Sequence, residues 1–377
     1  MKTTTKALKL GVDQLTVVVR PLLKVDVTTW ENVIDAILEQ FLILSAVESI
    51  FGMLKRTTSK TMQGYNEGIF AEDRPFYFSI NWNANFQEMG IAINFSAHSW
   101  AFFTSEYSKI HGEKMDVAKF IKMIQCDSLY TTRISRIDLT ADYLNYGLKV
   151  DDIYNGLKSH QLQVKNYKNH TIRLKTSALE INHSAETIYL GSRKGNTQGF
   201  LRIYDKRKEQ IDKHGIRLGE ALASKDWVRF EAVYKGKKSH QITEILLNQV
   251  HNVHDLQRWI AQAITDKYSF FDKQKDDEAE FTSDLLDIAF GKTSFNHLSS
   301  PSPRDNSLRQ SIHYIVTNSG LYACLFKIEA LYGSDGVQKF WEFLANRYQF
   351  YTPNKDTEIW IDKHGATMLK QTLEDSL

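Results

Sequence analysis

The segment "RIDLTAD" at 136–142 alternates apolar and polar residues with period two, which is how a strand with one face in a core is written. Ile137, Leu139 and Ala141 share one face, and Arg136, Asp138, Thr140 and Asp142 the other. Two further segments repeat the pattern. In "GFLRIYDKR" (199–207), Leu201 and Ile203 oppose Phe200, Arg202, Tyr204 and Lys206; in "WVRFEAVYK" (227–235), Arg229, Glu231 and Lys235 share a face. Each therefore sets an arginine and a reactive polar residue two apart, with an apolar residue turned the other way between them.

The order of elements is equally restrictive. A strand at 12–20 precedes a helix opened by Thr28 with Glu31 as a capping box. Strands at 76–83 and 89–97 and a helix at 116–124 follow. The order then recurs: a strand at 132–144, a helix at 150–160, a hairpin of 186–193 and 200–207 around "KGNTQG", a strand at 227–235 and a helix at 239–249. This predicts an α+β fold in which duplicated β-α-β-β units, with an extra strand, form a curved and mainly antiparallel sheet with helices on one face. The acidic stretch 275–287 and the prolines of "HLSSPSPRDNS" (297–307) mark a change of character. The expected organisation is a domain over 1–271 carrying the chemistry, a linker over 272–306 and a small helical domain over 307–377.

The 377 residues, 42% hydrophobic and 24% charged, are those of a globular protein. Two cysteines, Cys126 and Cys324, give neither a framework of bridges nor a metal spacing, which suits a reducing cytoplasm. The apolar run "FLILSAV" (41–47) is too short to span a membrane. No secretory signal opens the sequence given, so the expected location is cytoplasmic.

A net charge of +2 hides an uneven distribution: residues 153–208 hold eleven Lys or Arg against Glu180, Glu186 and Asp205. Clustered cations release counterions when they neutralise phosphates, so this region is a candidate DNA interface. Any one of the charged triplets is most simply a solvated face or a cross-strand ion pair; the coincidence of three in a basic context favours chemistry. Asp138, Asp142 and Glu231 are hard oxygen donors suited to Mg²⁺ or Mn²⁺. A cation there would stabilise charge in an in-line displacement at a phosphodiester. Tyr204, with Arg202 and Lys206 beside it to favour the phenolate, is the candidate nucleophile. Arg136, Arg229, Arg193, Lys194, Arg207 and Lys235 are candidate DNA contacts.

At these residues the sequence resembles the replication initiation factors of Gram-positive rolling-circle plasmids, whose relatives include relaxases of integrative conjugative elements. The resemblance runs in order through "GVDQLTVVV", "MGIAINFSA", "SRIDLTADYL", "TIYLGSR", "FLRIYDKRKE" and "WVRFEAVYKGK", over about residues 10–250. It implies that Tyr204 is the DNA-cleaving nucleophile and that Asp138 and Glu231 belong to the active site. It further implies a sequence-specific nicking and joining enzyme that forms a 5′-phosphotyrosine and leaves a 3′ hydroxyl for a polymerase. The implied partners are double-stranded origin DNA with a locally single-stranded or hairpin nick site, host helicase and polymerase, and a second copy of the chain. A homodimer would bring a second Tyr204 for closing the cycle; Tyr189 is the alternative.

No His-hydrophobe-His metal pair occurs, and "GSRKGNTQG" lacks the spacing of a phosphate loop, so an ATPase or helicase has no support. A conjugative relaxase and a non-catalytic DNA-binding regulator remain the alternatives. A tyrosine recombinase or topoisomerase ranks behind both.

Overall fold

A computed structural model of the chain describes residues 5–22, 27–71, 77–193, 198–291, 295–298, 308, 311–312, 315–316, 319–353, 355–369 and 372–373. Among these, Met1–Leu298 bounds one compact unit and Ser299–Leu377 a second.

The first unit is built on a ten-stranded antiparallel sheet. Its strands are β1 (Ala7–Pro21), β2 (Lys55–Thr57), β3 (Glu67–Phe70), β4 (Phe78–Trp82), β5 (Ile91–Phe95), β6 (Tyr130–Leu144), β8 (Thr176–Ile181), β9 (Ser184–Leu190), β10 (Gly199–Asp205) and β11 (Trp227–Lys235). They lie in the order β2-β3-β4-β5-β1-β6-β11-β10-β9-β8. A small second sheet pairs β7 (Leu162–Lys165) with β12 (Ser269–Asp272) and β13 (Asp277–Glu278).

The order exposes an internal duplication. β1 leaves the sheet through helix α1 (Val27–Ser45) and the chain returns through β2, β3, β4 and β5, the last pairing with β1. β6 leaves through α5 (Val150–Lys158) and returns through β8, β9, β10 and β11, the last pairing with β6. The two starting strands pair antiparallel at the centre. Each unit is thus β-α-β-β-β-β rather than β-α-β-β. The sequence reading missed β2, β3 and β8, short strands with little apolar alternation of their own.

One face of the sheet carries the core. Leu15, Val17, Val19, Ile137, Leu139, Ala141, Ile203 and Phe230 join one buried cluster with residues of the covering helices. Burying each large aliphatic or aromatic side chain there contributes roughly 1.5–3 kcal/mol. The covering helices include the short α2 (Val47–Phe51) before β2, α3 (Ala97–His111) and α4 (Val117–Met123) after β5, and α8 (Lys237–Asn248) and α9 (Val253–Thr265) after β11. α3 begins where a strand was expected to end, because Ser96 caps it by accepting from the Ser99 amide.

Helices are not confined to that face. α6 (Lys206–Asp212) and α7 (Leu218–Ala223) come to the other side, where Leu144, Ala221 and Trp227 form a separate small cluster. The strand expected over 200–207 ends at Asp205, whose side chain accepts from the Lys208 amide and turns the chain into α6.

The division at Leu298 falls within the stretch 272–306 expected to hold the linker, but the first part of that stretch belongs to the first unit. β12 and β13 build the small sheet, and α10 (Glu280–Ala289) buries Phe281 and Leu285 in the main core. Phe281, Leu285 and Ile288 recur at helical spacing, which the acidic composition of 275–287 conceals. The second unit contains helices over Leu321–Tyr348, broken at Gly333, and Lys355–Met368. Among the described residues, no helix is long and apolar enough to cross a membrane.

Candidate active site on the open face of the sheet

Antiparallel register decides which polar side chains meet on the face away from the core. Asp142 lies opposite Arg229 and Arg229 opposite Tyr204; Thr140 lies opposite Glu231 and Glu231 opposite Arg202. Tyr189 completes the second row opposite Arg202. Side chains directly opposite on one face are neighbours, so three strands assemble the residues that the alternation singled out. They floor a cleft of about 610 Å³ whose walls include His98 at the start of α3 and Glu209, Gln210, Ile216 and Arg217 of the α6–α7 segment.

Tyr204 is only 6% exposed, and its hydroxyl donates to Oε2 of Glu231 at 3.3 Å. Arg202 donates to the same oxygen at 2.5 Å, and its guanidinium lies over the Tyr204 ring at 4.5 Å. Burial pushes the phenol well above its ordinary range; Arg229 opposes this, and Glu231 and Asp13 add to it. Arg202 pulls the phenol down as expected, but burial outweighs it, and Lys206 is not among the groups that lower it. Arg202 is committed to Glu231, and Lys206, the first residue of α6, is buried and ion-paired with Glu209 at 2.5 Å. Burial and then Arg229 hold the Lys206 ammonium below its ordinary value.

The acids divide into two kinds. Asp142 is gripped by Arg229 through two bonds, Nε to Oδ1 at 2.6 Å and Nη2 to Oδ2 at 2.8 Å, and by Arg217 at 2.9 Å. Burial pushes its carboxyl up, but the two guanidinium groups outweigh burial and hold it below the usual range. An acid so engaged is a structural counterion, which removes Asp142 from the expected metal set. Asp138 and Glu231, 1% and 2% exposed, are instead pushed up, chiefly by burial. Arg136 holds Asp138 through two bonds, at 2.9 and 2.7 Å, without reversing that shift.

Asp13 is the residue that sequence reasoning missed. The register of β1 against β6 shifts between Val12 and Leu15, leaving Asp13 and Gln14 in a bulge. Both line the cleft, and Asp13 pairs with Arg229. Bulges re-aim side chains beside active sites; here the bulge brings a third carboxylate whose charge raises both Asp138 and Glu231. The sequence signal was a single acid inside the strand-like "GVDQLTVVV". Arg217, from the segment between α6 and α7, was missed for want of any strand pattern.

The candidate DNA contacts separate likewise. Arg193 lines the cleft with its guanidinium 4.2 Å from the Tyr189 ring. Arg136 is part-exposed in the cleft, and Lys235 lies near the Phe200 ring. Arg229 is 4% exposed and committed to Asp142 and Asp13, so it is not free to meet a phosphate. Arg207 donates to the Ser224 carbonyl at 3.0 Å and does not line the cleft. Lys194 lies outside the described residues.

Among the described residues, no three His, Cys, Asp or Glu side chains stand together in metal-holding geometry. Accordingly, neither the expected trio of Asp138, Asp142 and Glu231 nor that of Asp13, Asp138 and Glu231 is assembled as the side chains stand. The donor chemistry of Asp13, Asp138 and Glu231 nevertheless fits a hard divalent cation: all three are carboxylates, and two are buried against one another's charge. Both bonds to Glu231, from Arg202 and Tyr204, fall on Oε2.

Comparison with known proteins bears on the fold and the family. The fold is similar to that of a rolling circle replication initiator protein from Geobacillus stearothermophilus, with a TM-score of 0.50 and 16% identity over 75% of this chain and 97% of that one. No curated protein matches the chain. The family described as replication initiation factor matches residues 132–341, which include β6, β10 and β11 and more than half of the sequence. The chain belongs to the replication initiation factor family.

Proposed function

We propose that this replication initiation factor is a metal-dependent DNA nicking and joining enzyme that starts rolling-circle copying from the open face of its second sheet half. The observation that carries the reading is the buried Tyr204 hydroxyl bonded to Glu231 at the floor of an open cleft. A phenol above its ordinary pKa needs a base at the moment of attack, and Glu231 is within reach of its proton. As the phenol oxygen forms a bond to phosphorus, its proton passes to Glu231 and the bond from phosphorus to the 3′ oxygen breaks. The departing 3′ oxygen takes up a proton and becomes the hydroxyl that primes synthesis. The other end stays on Tyr204 as a 5′-phosphotyrosine, and attack by a 3′ hydroxyl reverses the step.

Asp13, Asp138 and Oε1 of Glu231 are the atoms that would hold Mg²⁺ or Mn²⁺. Such a cation supplies charge neutralisation at the phosphate during displacement. Arg136 and Arg202 orient two of these carboxylates. Origin DNA with a single-stranded or hairpin nick site, host helicase and polymerase, and a second copy bringing another Tyr204 are the partners this cycle needs. Conjugative transfer would use the same chemistry.

The test is to trap the covalent adduct on an oligonucleotide whose 3′ product diffuses away and to map the modified residue. Tyr204→Phe is expected to lower adduct formation by at least about 10³-fold, the scale seen when a nucleophile is deleted, with DNA binding within about twofold. Normal cutting by that variant, or an adduct on Tyr189, overturns the assignment. Mn²⁺ titration of the Asp138→Asn variant, read by calorimetry, tests the cation separately; unchanged affinity removes Asp138 from its ligands.

A further inference from the structure

Arg20 near the end of β1 and Arg133 near the start of β6 are on the open face: Arg133 lies opposite Val18 and Arg20 opposite Thr131. They differ from the four arginines of the active-site floor and wall. Arg136, Arg202, Arg217 and Arg229 each bind a carboxylate. Arg20 and Arg133 make no ion pair with a described carboxylate, and the Nε of each is buried without a hydrogen-bond partner. Glu88 is near Arg20 yet forms no bond with it. Two half-buried guanidinium groups thus crowd one site, and unpaired cations withdrawn from water are costly unless a ligand offsets them.

The surroundings make room for this pair. Gly90, at φ +72°, passes so close that a Cβ there would meet Val19 O at 2.5 Å and Arg20 Cγ at 2.9 Å. Tyr65, before β3, is near both arginines, and His240 of α8 adds a third basic group. Burial and then Arg20 lower Arg133 to about 10, and burial and then the two arginines lower His240 to about 4. Glu88 raises Arg20 without pairing with it, and no described carboxylate pairs with Arg133.

We propose that Arg20 and Arg133 form a second anion site that takes a backbone phosphate of the DNA, away from the nick. The inference rests on the nicking reading for the identity of the ligand. DNA is favoured over a free phosphate because Arg133 shares β6 and its open face with Asp138. Five residues along a strand span roughly 16 Å, about five steps of a stacked nucleic-acid strand at ~3.4 Å each. One DNA strand over this face would meet both sites, so the central seam between β1 and β6 grips what the second half cuts.

The test measures binding of a nick-site hairpin with a long duplex arm by anisotropy at several salt concentrations, in a Tyr204→Phe background so that no cutting intervenes. Arg20→Gln with Arg133→Gln should weaken binding about tenfold near 0.15 M salt and make the log K–log salt slope shallower by about 1 to 2, since each lost phosphate contact removes ~0.7–0.9. Arg133→Lys should keep most of the slope, because slope counts charges. Thermal melting supplies the structural control: an anion site leaves the doubly substituted protein at least as stable as its parent. An unchanged slope, with or without a lower Tm, overturns the proposal. An unchanged slope together with inorganic phosphate raising the parent's Tm and not the variant's assigns the pair to a free anion and overturns the DNA assignment. Absence of any covalent adduct in the unsubstituted protein would sink the nicking reading while leaving the slope measurement decisive for this one.

Discussion

The two halves of the sheet share one connectivity and differ in what their open faces carry. Across β4 and β5 the open face of the first half is neutral: the Thr16 hydroxyl of β1 donates to Asn94 at 2.9 Å, and the Asn81 amide donates to the Ser79 hydroxyl at 2.9 Å. On the second half, β10 and β11 occupy the places of β4 and β5 and carry Arg202, Tyr204, Arg229 and Glu231. The core faces are alike in character, built from Ile80, Ile93 and Phe95 on one side and Ile203, Phe230 and Ala232 on the other. Architecture is therefore a property of the face toward the helices, and chemistry a property of the other face. A duplicated scaffold can thus concentrate a site on β6, β10 and β11, with Asp13 of β1 at its border, while β4 and β5 keep inexpensive hydrogen bonds.

If charge in the second half is partly scaffold and partly chemistry, its acids must respond differently to neutralisation. The largest effect is expected at Asp142. Asp142→Asn leaves Arg229 and Arg217 facing an amide, and removing one partner of a buried ion pair typically costs about 3–5 kcal/mol. Urea unfolding should show a lower midpoint of that order. A loss under 1 kcal/mol would mean that Asp13 alone suffices for Arg229 and that Asp142 is not the structural counterion assigned here.

The corresponding change in the first half is smaller. Asn94→Ala removes a neutral bond and strands the Thr16 hydroxyl, expected to cost about 1–3 kcal/mol. Because no charge is uncovered, the loss should be insensitive to salt, whereas the Asp142 loss should vary with it. Equal salt dependence in the two would erase the distinction between the halves.

How the sequence encodes this division explains what could be seen in it. Period-two alternation is local, so the faces of β6, β10 and β11 and the grouping of Asp138, Glu231 and Tyr204 were readable from spacing alone. Asp13 was hidden because its direction depends on a register shift against a strand more than a hundred residues away. The mistaken partner of Asp142 has a similar origin: spacing shows that Asp142 and Arg229 share a face, not that register places them opposite one another. Lys206 was assigned to a strand because its face parity continued, whereas the Asp205 cap ends the strand one residue earlier. Burial was illegible too, and burial turned the phenol's shift upward against the pull of its cations.

Acid stability offers a finer probe. His240, held down from its ordinary 6.5 to about 4, takes up its proton more readily in the unfolded chain. Unfolding is therefore favoured as pH falls from about 6.5 to 4, and this part of the stability is fully present above 6.5. Asp142 acts at lower pH: its folded value lies below the unfolded one, so its contribution is present above about 3.9 and is lost as pH falls through the folded value. His240→Gln should flatten the melting temperature between pH 6.5 and 4 and leave the steeper fall below 4. An unchanged profile above pH 4 would mean that the imidazole is already charged beside Arg20 and Arg133.

The smallest effect on stability is expected four residues from the largest. Asp138→Asn should alter unfolding free energy by less than about 1 kcal/mol, although the residue is as buried as Asp142. Burial already raises the Asp138 carboxyl despite its two bonds to Arg136, and Asp13 adds repulsion. An acid shifted upward loses stability as pH rises through the interval above its unfolded value, so the charged form at neutral pH is a burden on the fold. Neutralising it removes that burden, while Arg136, with about a third of its side chain exposed, keeps water as a substitute partner. Tolerance of folding combined with loss of nicking would show a carboxylate retained for its chemistry at a cost to the fold. A loss as large as that of Asp142→Asn would instead make both acids of β6 counterions, and the charged half would differ from the neutral half only in how it is held together.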